Sequence, residues 1–353
     1  MTWLTRSVLH AATLALIASV LSGSGSTGAH AQARAENLPA PIRALLDSAR
    51  KEGAAVIFGQ TVNPTQMQQY SDAVSQFYGF KIQLNMISSM HPVKAAEVVQ
   101  VMKQGVPSGI DVFWTASEVG EVLRRGNALA PVDWVKETGA DARLKWGEDG
   151  LRAHDGTLAM VGYNTQLVTA KDAPRSYLDL LNPAWKGRVA VPRTPTPFTY
   201  ISYYLGVEKT EAFLRDLIEK QKAKILASFP DLRTRLITGE FAVELGSEVF
   251  RDRLTGAPVE NAPIDPVIIT PWASYVMRDA KSPNIARLWG YWLSTPDGQK
   301  AMSDIAKISR ADAEGTEFWK FAQGKKTVMV PEEYTRDTGR LVRKFGKVMG
   351  LAR

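Results

Sequence analysis

The sequence has no cysteine and only four histidines in 353 residues, and each scarcity narrows the field. Without cysteine there is no disulfide, so stability has to come from a hydrophobic core large enough to suffice alone. Two of the histidines, His10 and His30, lie in the first 31 residues. The other two, His91 and His154, are too few for a histidine-rich metal centre and read as surface or loop residues. The G-x-S-x-G, H-E-x-x-H and Walker patterns are absent. Acidic residues occur throughout, but nothing singles out a pair for two-carboxylate hydrolysis. The single G-x-G-x-x-G match (Gly23, Gly25, Gly28) follows no strand and opens no helix, so it lacks the context of a dinucleotide site. No enzyme, cofactor or metal is expected. After residue 31 no run approaches the roughly 20 apolar residues of a membrane span.

What is present begins with an address. Arg6 precedes the uncharged run SVLHAATLALIASVL, and SGSGSTGAHA ends in Ala29-His30-Ala31. A basic start, a short apolar stretch and a small-x-small end make a cleavable export signal, residues 1–31. Cleavage leaves Gln32 first, with no cysteine there to carry a lipid, so a free periplasmic monomer is expected. The remaining length suits about two domains. The formal charge is +7, and removal of the signal takes away one arginine and no acid. This excess mildly favours an anionic ligand or surface. It concentrates only in TRDTGRLVRKFGKVMGLAR, where Leu341, Val342, Phe345, Val348 and Met349 fall at helical spacing. That segment reads as a docked amphipathic helix rather than a nucleic-acid-binding tail.

Between these ends, strand and helix patterns alternate. PIRALLDSARKEG has one apolar face and a terminal Gly53; AAVIF (Ala54 to Phe58) is an apolar strand; Asn63-Pro64 opens a helix as N-cap and N1. KIQLNMI and IDVFW are further strands, with a helix from about Val93 to Lys103 between them. A second series follows Gly150: a strand at Gly156–Asn164, a short helix SYLDLLN, strand RVAV, a long helix KTEAFLRDLIEKQKAKI, strand EFAVELG and the extended PVIIT (Pro266–Thr270). SPNIARLWGYWLSTPDGQKAM reads as one apolar helix. The pattern predicts two α/β lobes with mostly parallel sheets, joined near 157–164 and 266–270. Residues 32–160 and 271–353 form one lobe, with C-terminal helices packing across both, and 161–270 the other.

Ligands of such sheets gather beyond the carboxyl ends of the strands. Those ends read Gly59-Gln60-Thr61, Ser88-Ser89-Met90-His91, Thr115-Ala116-Ser117, Arg193-Thr194-Pro195-Thr196 and Gly246-Ser247-Glu248. Taken singly, each hydroxyl is an ordinary helix cap. Five such ends on two lobes point to a shared cleft lined by Gln60, Thr61, Ser89, Thr115, Ser117, Arg193, Thr194, Thr196 and Ser247. In this set Arg193 and its hydroxyl neighbours suit a carboxylate or phosphonate group.

SARKEGAAVIFGQT, PRSYLDLLNPAWKGRVAVPRT, ITGEFAVELG and RDAKSPNIARLWGYWLSTPDGQKAM together resemble the periplasmic solute-binding proteins of ABC transporters. They are most similar to the family 1 branch of ferric-ion, thiamine, aminophosphonate and organic-anion binders. The resemblance covers nearly all of the chain after the signal. It implies a type II two-lobed fold with a two-strand hinge that closes on one solute and delivers it to an inner-membrane permease, with no nucleic acid involved. It also places Trp272 near the hinge, facing the cleft. Iron-binding members carry adjacent tyrosines about nine residues past the glycine of the Gly-Glu strand; counted from Gly239, those positions hold Val249 and Phe250. The adjacent pair Tyr203-Tyr204 reads, with Tyr200, as packing. The resemblance therefore favours a small organic anion, with ferric iron and then an exported hydrolase as alternatives.

Overall fold

The computed structural model describes residues 37–156, 158–336 and 338–351, and the export signal read from the sequence lies outside them. Helix α1 (Ala40–Glu52) buries Ile42, Leu46 and Ala49 and ends at Gly53. Strand β1 (Ala54–Phe58) follows, then α2 (Pro64–Tyr78). At the start of α2, Asn63 accepts from the Gln66 amide while the Gln66 side chain accepts from the Asn63 amide, so two orphan donors are satisfied at once. Next come β2 (Gln83–Ile87), α3 (His91–Lys103) and β3 (Val112–Ala116), which runs straight into α4 (Ser117–Arg125). Helix α5 (Trp134–Thr138), β4 (Lys145–Trp146) and β5 (Gly150–Gly156) close the first half of this lobe.

The chain then enters a second sheet. Its elements are β6 (Val161–Asn164), β7 (Val189–Pro192), α6 (Thr196–Leu205), α7 (Val207–Glu219) and β8 (Lys224–Leu226). They continue with α8 (Phe229–Ile237), β9 (Val243–Leu245), α9 (Phe250–Leu254) and β10 (Val259–Asn261). The ten-residue β11 (Val267–Val276) carries the chain back to the first sheet. After it come α10 (Pro283–Ser294), α11 (Pro296–Ala306), α12 (Glu317–Ala322), β12 (Thr327–Met329), α13 (Glu332–Thr335) and α14 (Thr338–Val348).

The first sheet has the order β2-β1-β3-β11-β5-β4, with β12 paired to the start of β11; the second has the order β10-β6-β9-β7-β8. β2, β1 and β3 run parallel, whereas β11 is antiparallel to both β3 and β5. The second sheet is likewise mixed, parallel from β9 through β7 to β8 and antiparallel at β6 and β10. This is the expected two-lobed α/β architecture, each sheet flanked by helices.

Separate apolar cores support the lobes. One gathers α1, α2, Trp114, Trp134 and the Trp289–Trp292 face of α10. The other gathers Val189, Val191, Phe198, Phe213 and Leu217. Leu341, Phe345 and Met349 insert into the second core, so the basic tail docks as an amphipathic helix, on the second lobe. Three expectations need correction. The long helix expected over KTEAFLRDLIEKQKAKI ends at Glu219, and Lys224–Leu226 is strand β8. The strand expected over 156–164 is two strands, β5 starting at Gly150 and β6 at Val161, with the passage between sheets between them. The single apolar helix expected after Ser282 is two helices, because Thr295 caps the amide of Gly298 and Pro296 starts a new helix.

That corner depends on a missing side chain. A Cβ on Gly298 would lie 1.9 Å from the carbonyl oxygen of Trp292, a backbone atom that no rotamer change can move. Gly298→Ala should therefore cost at least about 1–3 kcal/mol and lower the melting temperature by several degrees. Calorimetric melting of the variant within about a degree of wild type would contradict the packing described.

Candidate ligand-binding cleft

The lobes meet along α6, β11 and the start of α4. Helix α6 packs against β11, and the buried Tyr200 hydroxyl donates to Glu118 Oε1 at 2.7 Å across the boundary. On another part of the boundary, the Arg251 guanidinium donates to the Ala306 carbonyl at 2.8 Å, at the C-terminal end of α11, where a helix favours a cation. The Arg193–Thr196 turn opens α6, the helix that carries Tyr200.

In that turn the Arg193 amide donates to the Leu226 carbonyl at 2.7 Å, which fixes the backbone between β7 and β8. The Arg193 side chain is exposed, and its guanidinium has no hydrogen-bond or ion-pair partner among the described residues. Thr194 and Thr196 join their hydroxyls at 2.7 Å. Pro195 lies over Gly346 of α14, 3.6 Å from where a Cβ would stand, so the tail helix supports the turn from beneath. A fixed backbone carrying an unpaired guanidinium beside two hydroxyls can take an anionic oxygen group by charge-assisted bonds.

The first-lobe candidates divide into two sets. Thr61 and Ser89 are exposed and Gln60 is half-buried; Thr61 donates to Ser88 at 3.1 Å. Ser117 and Thr115 are buried and already engaged. The Ser117 hydroxyl donates to the Pro271 carbonyl at 3.0 Å and accepts from Trp146 Nε1 at 2.7 Å, so it ties α4 to β11 instead of facing a solute. Thr115 bonds His91 Nδ1 at 2.8 Å. In the second lobe Ser247 is likewise buried and donates to Glu244 Oε1 at 2.9 Å. These three hydroxyls belong to the supporting structure. Hydroxyl counting could not have separated them, because which face of a strand end looks inward depends on register.

The two histidines also depart from the sequence reading. His154 is 2% exposed within β5, and His91 begins α3, half-buried. The Trp114 indole donates to His154 Nδ1 at 3.0 Å. An indole N–H only donates, so His154 Nδ1 holds a lone pair and the neutral ring carries its proton on Nε2. Gln60 Nε2 stands 3.3 Å from His154 Nε2; because that ring nitrogen donates, the amide has to be turned over to present its oxygen to the ring, which puts its NH2 outward. Burial lowers His154 to about 3, helped by the positive fields of His91 and Arg152. Burial also lowers His91 to about 4 against the pull of a bond to the Gly59 backbone. Both rings are neutral, and both flank Trp272, with centroids 5.1 Å from its ring.

Tyr203 and Tyr204 are 39% and 43% exposed, so they are not core packing as expected, while Tyr200 is fully buried. Val249 and Phe250 are buried and apolar. Among the described residues no cluster of three or more histidines and carboxylates could hold a metal ion. Arg251, which the sequence reading passed over, follows this apolar pair directly.

Residues 153–234 match the family model described as a bacterial extracellular solute-binding protein. No curated protein matches the chain. Among solved structures, the substrate-binding protein of an ABC transporter from Agrobacterium tumefaciens is similar at 14% identity, covering 84% of this chain and 95% of that one, with a TM-score of 0.67. Iron-bound HitA from Pseudomonas aeruginosa gives 16% identity, 84% and 99% coverage and 0.64. The periplasmic binding protein AfuA from Actinobacillus pleuropneumoniae, with exogenous fructose-6-phosphate bound, gives 16%, 85%, 99% and 0.65. The chain therefore has the two-lobed periplasmic binding protein fold, and the resemblance read from its sequence is borne out.

The buried titratable groups predict a two-sided pH profile. Folded His91 and His154 bind protons more weakly than the usual histidine, so the unfolded chain takes up protons first as pH falls below about 6.5. Their contribution is complete above that pH and is lost toward about 4 and 3. Glu244 has the opposite sign: burial pushes its carboxyl up to about 8, so stability is lost as pH rises from the usual carboxylate value through about 8. These three groups alone place the peak of melting temperature near pH 6.5 (an order-of-magnitude placement), and Glu118 and Glu248, also pushed up by burial, add to the decline on the alkaline side. In melts from pH 4.5 to 8.5, Glu244→Gln should flatten the alkaline decline and His154→Gln the acid one. Variants that keep the wild-type slopes would refute these assignments.

Proposed function

We propose that this chain is the periplasmic solute-binding component of an ABC importer, which captures a small anionic organic solute of carboxylate or phosphate type by lobe closure. It performs no chemistry on the solute and passes it to an inner-membrane permease. The observation that carries the reading is Arg193, an exposed guanidinium without a partner on a turn whose backbone is otherwise fixed. Arg251 adds a second cation at the lobe boundary. Exposed Thr61 and Ser89 and the outward amide of Gln60 supply neutral donors from the facing lobe. AfuA, of the same fold, was solved with a sugar phosphate, which agrees with this chemistry.

Ferric iron is the competing reading, favoured by iron-bound HitA among the similar structures and by the exposed phenols of Tyr203 and Tyr204. Against it, the positions counted from the Gly-Glu strand carry Val249 and Phe250, which offer no hard anionic donor.

A thermal-shift screen of organic carboxylates, phosphates and ferric citrate supplies the probe, and calorimetry with its tightest organic anion tests the site. Arg193→Ala should weaken binding about 10- to 150-fold, the loss of one charge-assisted contact of about 1.5–3 kcal/mol. Arg193→Lys should recover only part, because a point charge does not replace a planar fork. Equal dissociation constants in all three proteins would overturn the role of the turn. A strong visible band with ferric ion, lost in the Tyr203→Phe/Tyr204→Phe double variant, would establish the iron reading instead.

A further inference from the structure

The anionic head is one half of a solute, and the structure speaks to the other half. Of the ten residues of β11, nine are buried and Trp272 alone is partly open. Trp272 packs in part on the core of the first lobe and leaves the rest of its indole open in the middle of the central strand. The pairing with β5 shifts register between Trp272 and Ala273, leaving Ala153 of β5 as the extra residue between His154 and Arg152, a device that re-aims the side chains of the bulged strand. Gly156 opposite leaves the room that Trp272 and Thr270 occupy, since a Cβ there would stand 2.7 Å from both Trp272 Nε1 and Thr270 Oγ1.

Around the indole the rings continue. His91 meets Trp272 at 70° and His154 at 41°, both at 5.1 Å. Phe58 backs His91 at 4.8 Å and Trp114 backs His154 at 5.2 Å. Five aromatic rings thus form a wall, four of them on strands of one sheet and His91 at the start of α3. The Trp272 indole N–H has no partner among the described residues, and the Gln60 amide beside His154 adds a second polar group to the wall.

The floor does not suit a cation. The Trp114 N–H occupies the lone pair of His154, and the positive field of Arg152 reaches the same ring. Asp155 is taken by Arg152 and by the Ala311 amide.

We propose that the cleft floor receives a planar unsaturated ring, so that the solute is an aromatic or heteroaromatic anion whose ring lies on Trp272. This rests on the anion reading above and names the class of solute. A flat ring gains offset or edge-on contact with indole and imidazole that a puckered ring of equal size does not.

Calorimetry with phenyl phosphate, cyclohexyl phosphate and phosphocholine separates the possibilities, because the three share a head group. Wild type should bind phenyl phosphate about five- to tenfold tighter than cyclohexyl phosphate. Trp272→Leu should abolish that preference, and Trp272→Tyr, which keeps a ring, should retain most of it. Equal or tighter binding of cyclohexyl phosphate, a preference that survives Trp272→Leu, tighter binding of phosphocholine, or no binding of phenyl phosphate would each overturn the proposal. Arg193→Ala should weaken phenyl and cyclohexyl phosphate alike. If it leaves both unchanged while the ring preference persists, the anion site at the turn fails and the ring site stands.

Discussion

The hydrogen-bond ladders on the two edges of β11 are the constraint from which the cleft follows. This strand leaves the second lobe, pairs first with β12, and then lies between β3 and β5 in the first sheet. Its position draws the carboxyl end of β3, with Thr115 and Ser117, alongside the end of β5, with His154. Ser117 bonds the Pro271 carbonyl within this arrangement, and Glu118 beside it reaches Tyr200 of the other lobe. Remove the ladder and the aromatic floor, the junction with α6 and the turn bearing Arg193 lose their common reference.

Charge held inside the fold anchors the same end of β5. Arg152 donates to both oxygens of Asp155 and to Asp312, and Arg310 donates to Asp312 and to the Ser294 carbonyl. The Ala311 amide donates to Asp155 as well. The Arg152–Asp155 pair is buried while Asp312 is exposed, and a buried ion pair is a weak source of net stability, since desolvation offsets most of the attraction. Its geometry is demanding, and the chain departs for the second lobe immediately after Asp155. Both lobes can then keep their own cores while the link between them starts from a defined place.

Much of this was legible in the residues. The Asn63-Pro64 helix start, the glycine stop after α1, the apolar strand Ala54–Phe58 and the amphipathic tail each follow from local chemistry, and each stands in the structure. The Arg193 turn was legible for the same reason: a short buried strand, a Pro/Thr turn and an aromatic helix start leave a charged side chain nowhere to go but out. The stretch GLRAHDG was not. Its strand buries an arginine, a histidine and an aspartate, and buried charge satisfied by distant partners looks like loop by hydropathy. His154 was therefore missed, and with it the orientation of Gln60. The hydroxyls of Thr115, Ser117 and Ser247 were overread because sequence shows donor type but not whether a partner has already claimed it.

The account requires the two lobes to close on a solute rather than merely to adjoin. Small-angle X-ray scattering of the chain, before and after saturation with the tightest organic anion from the screen, tests this most directly. The radius of gyration should fall as solute is added, with a midpoint matching the calorimetric dissociation constant. An unchanged radius at full occupancy would contradict capture by closure.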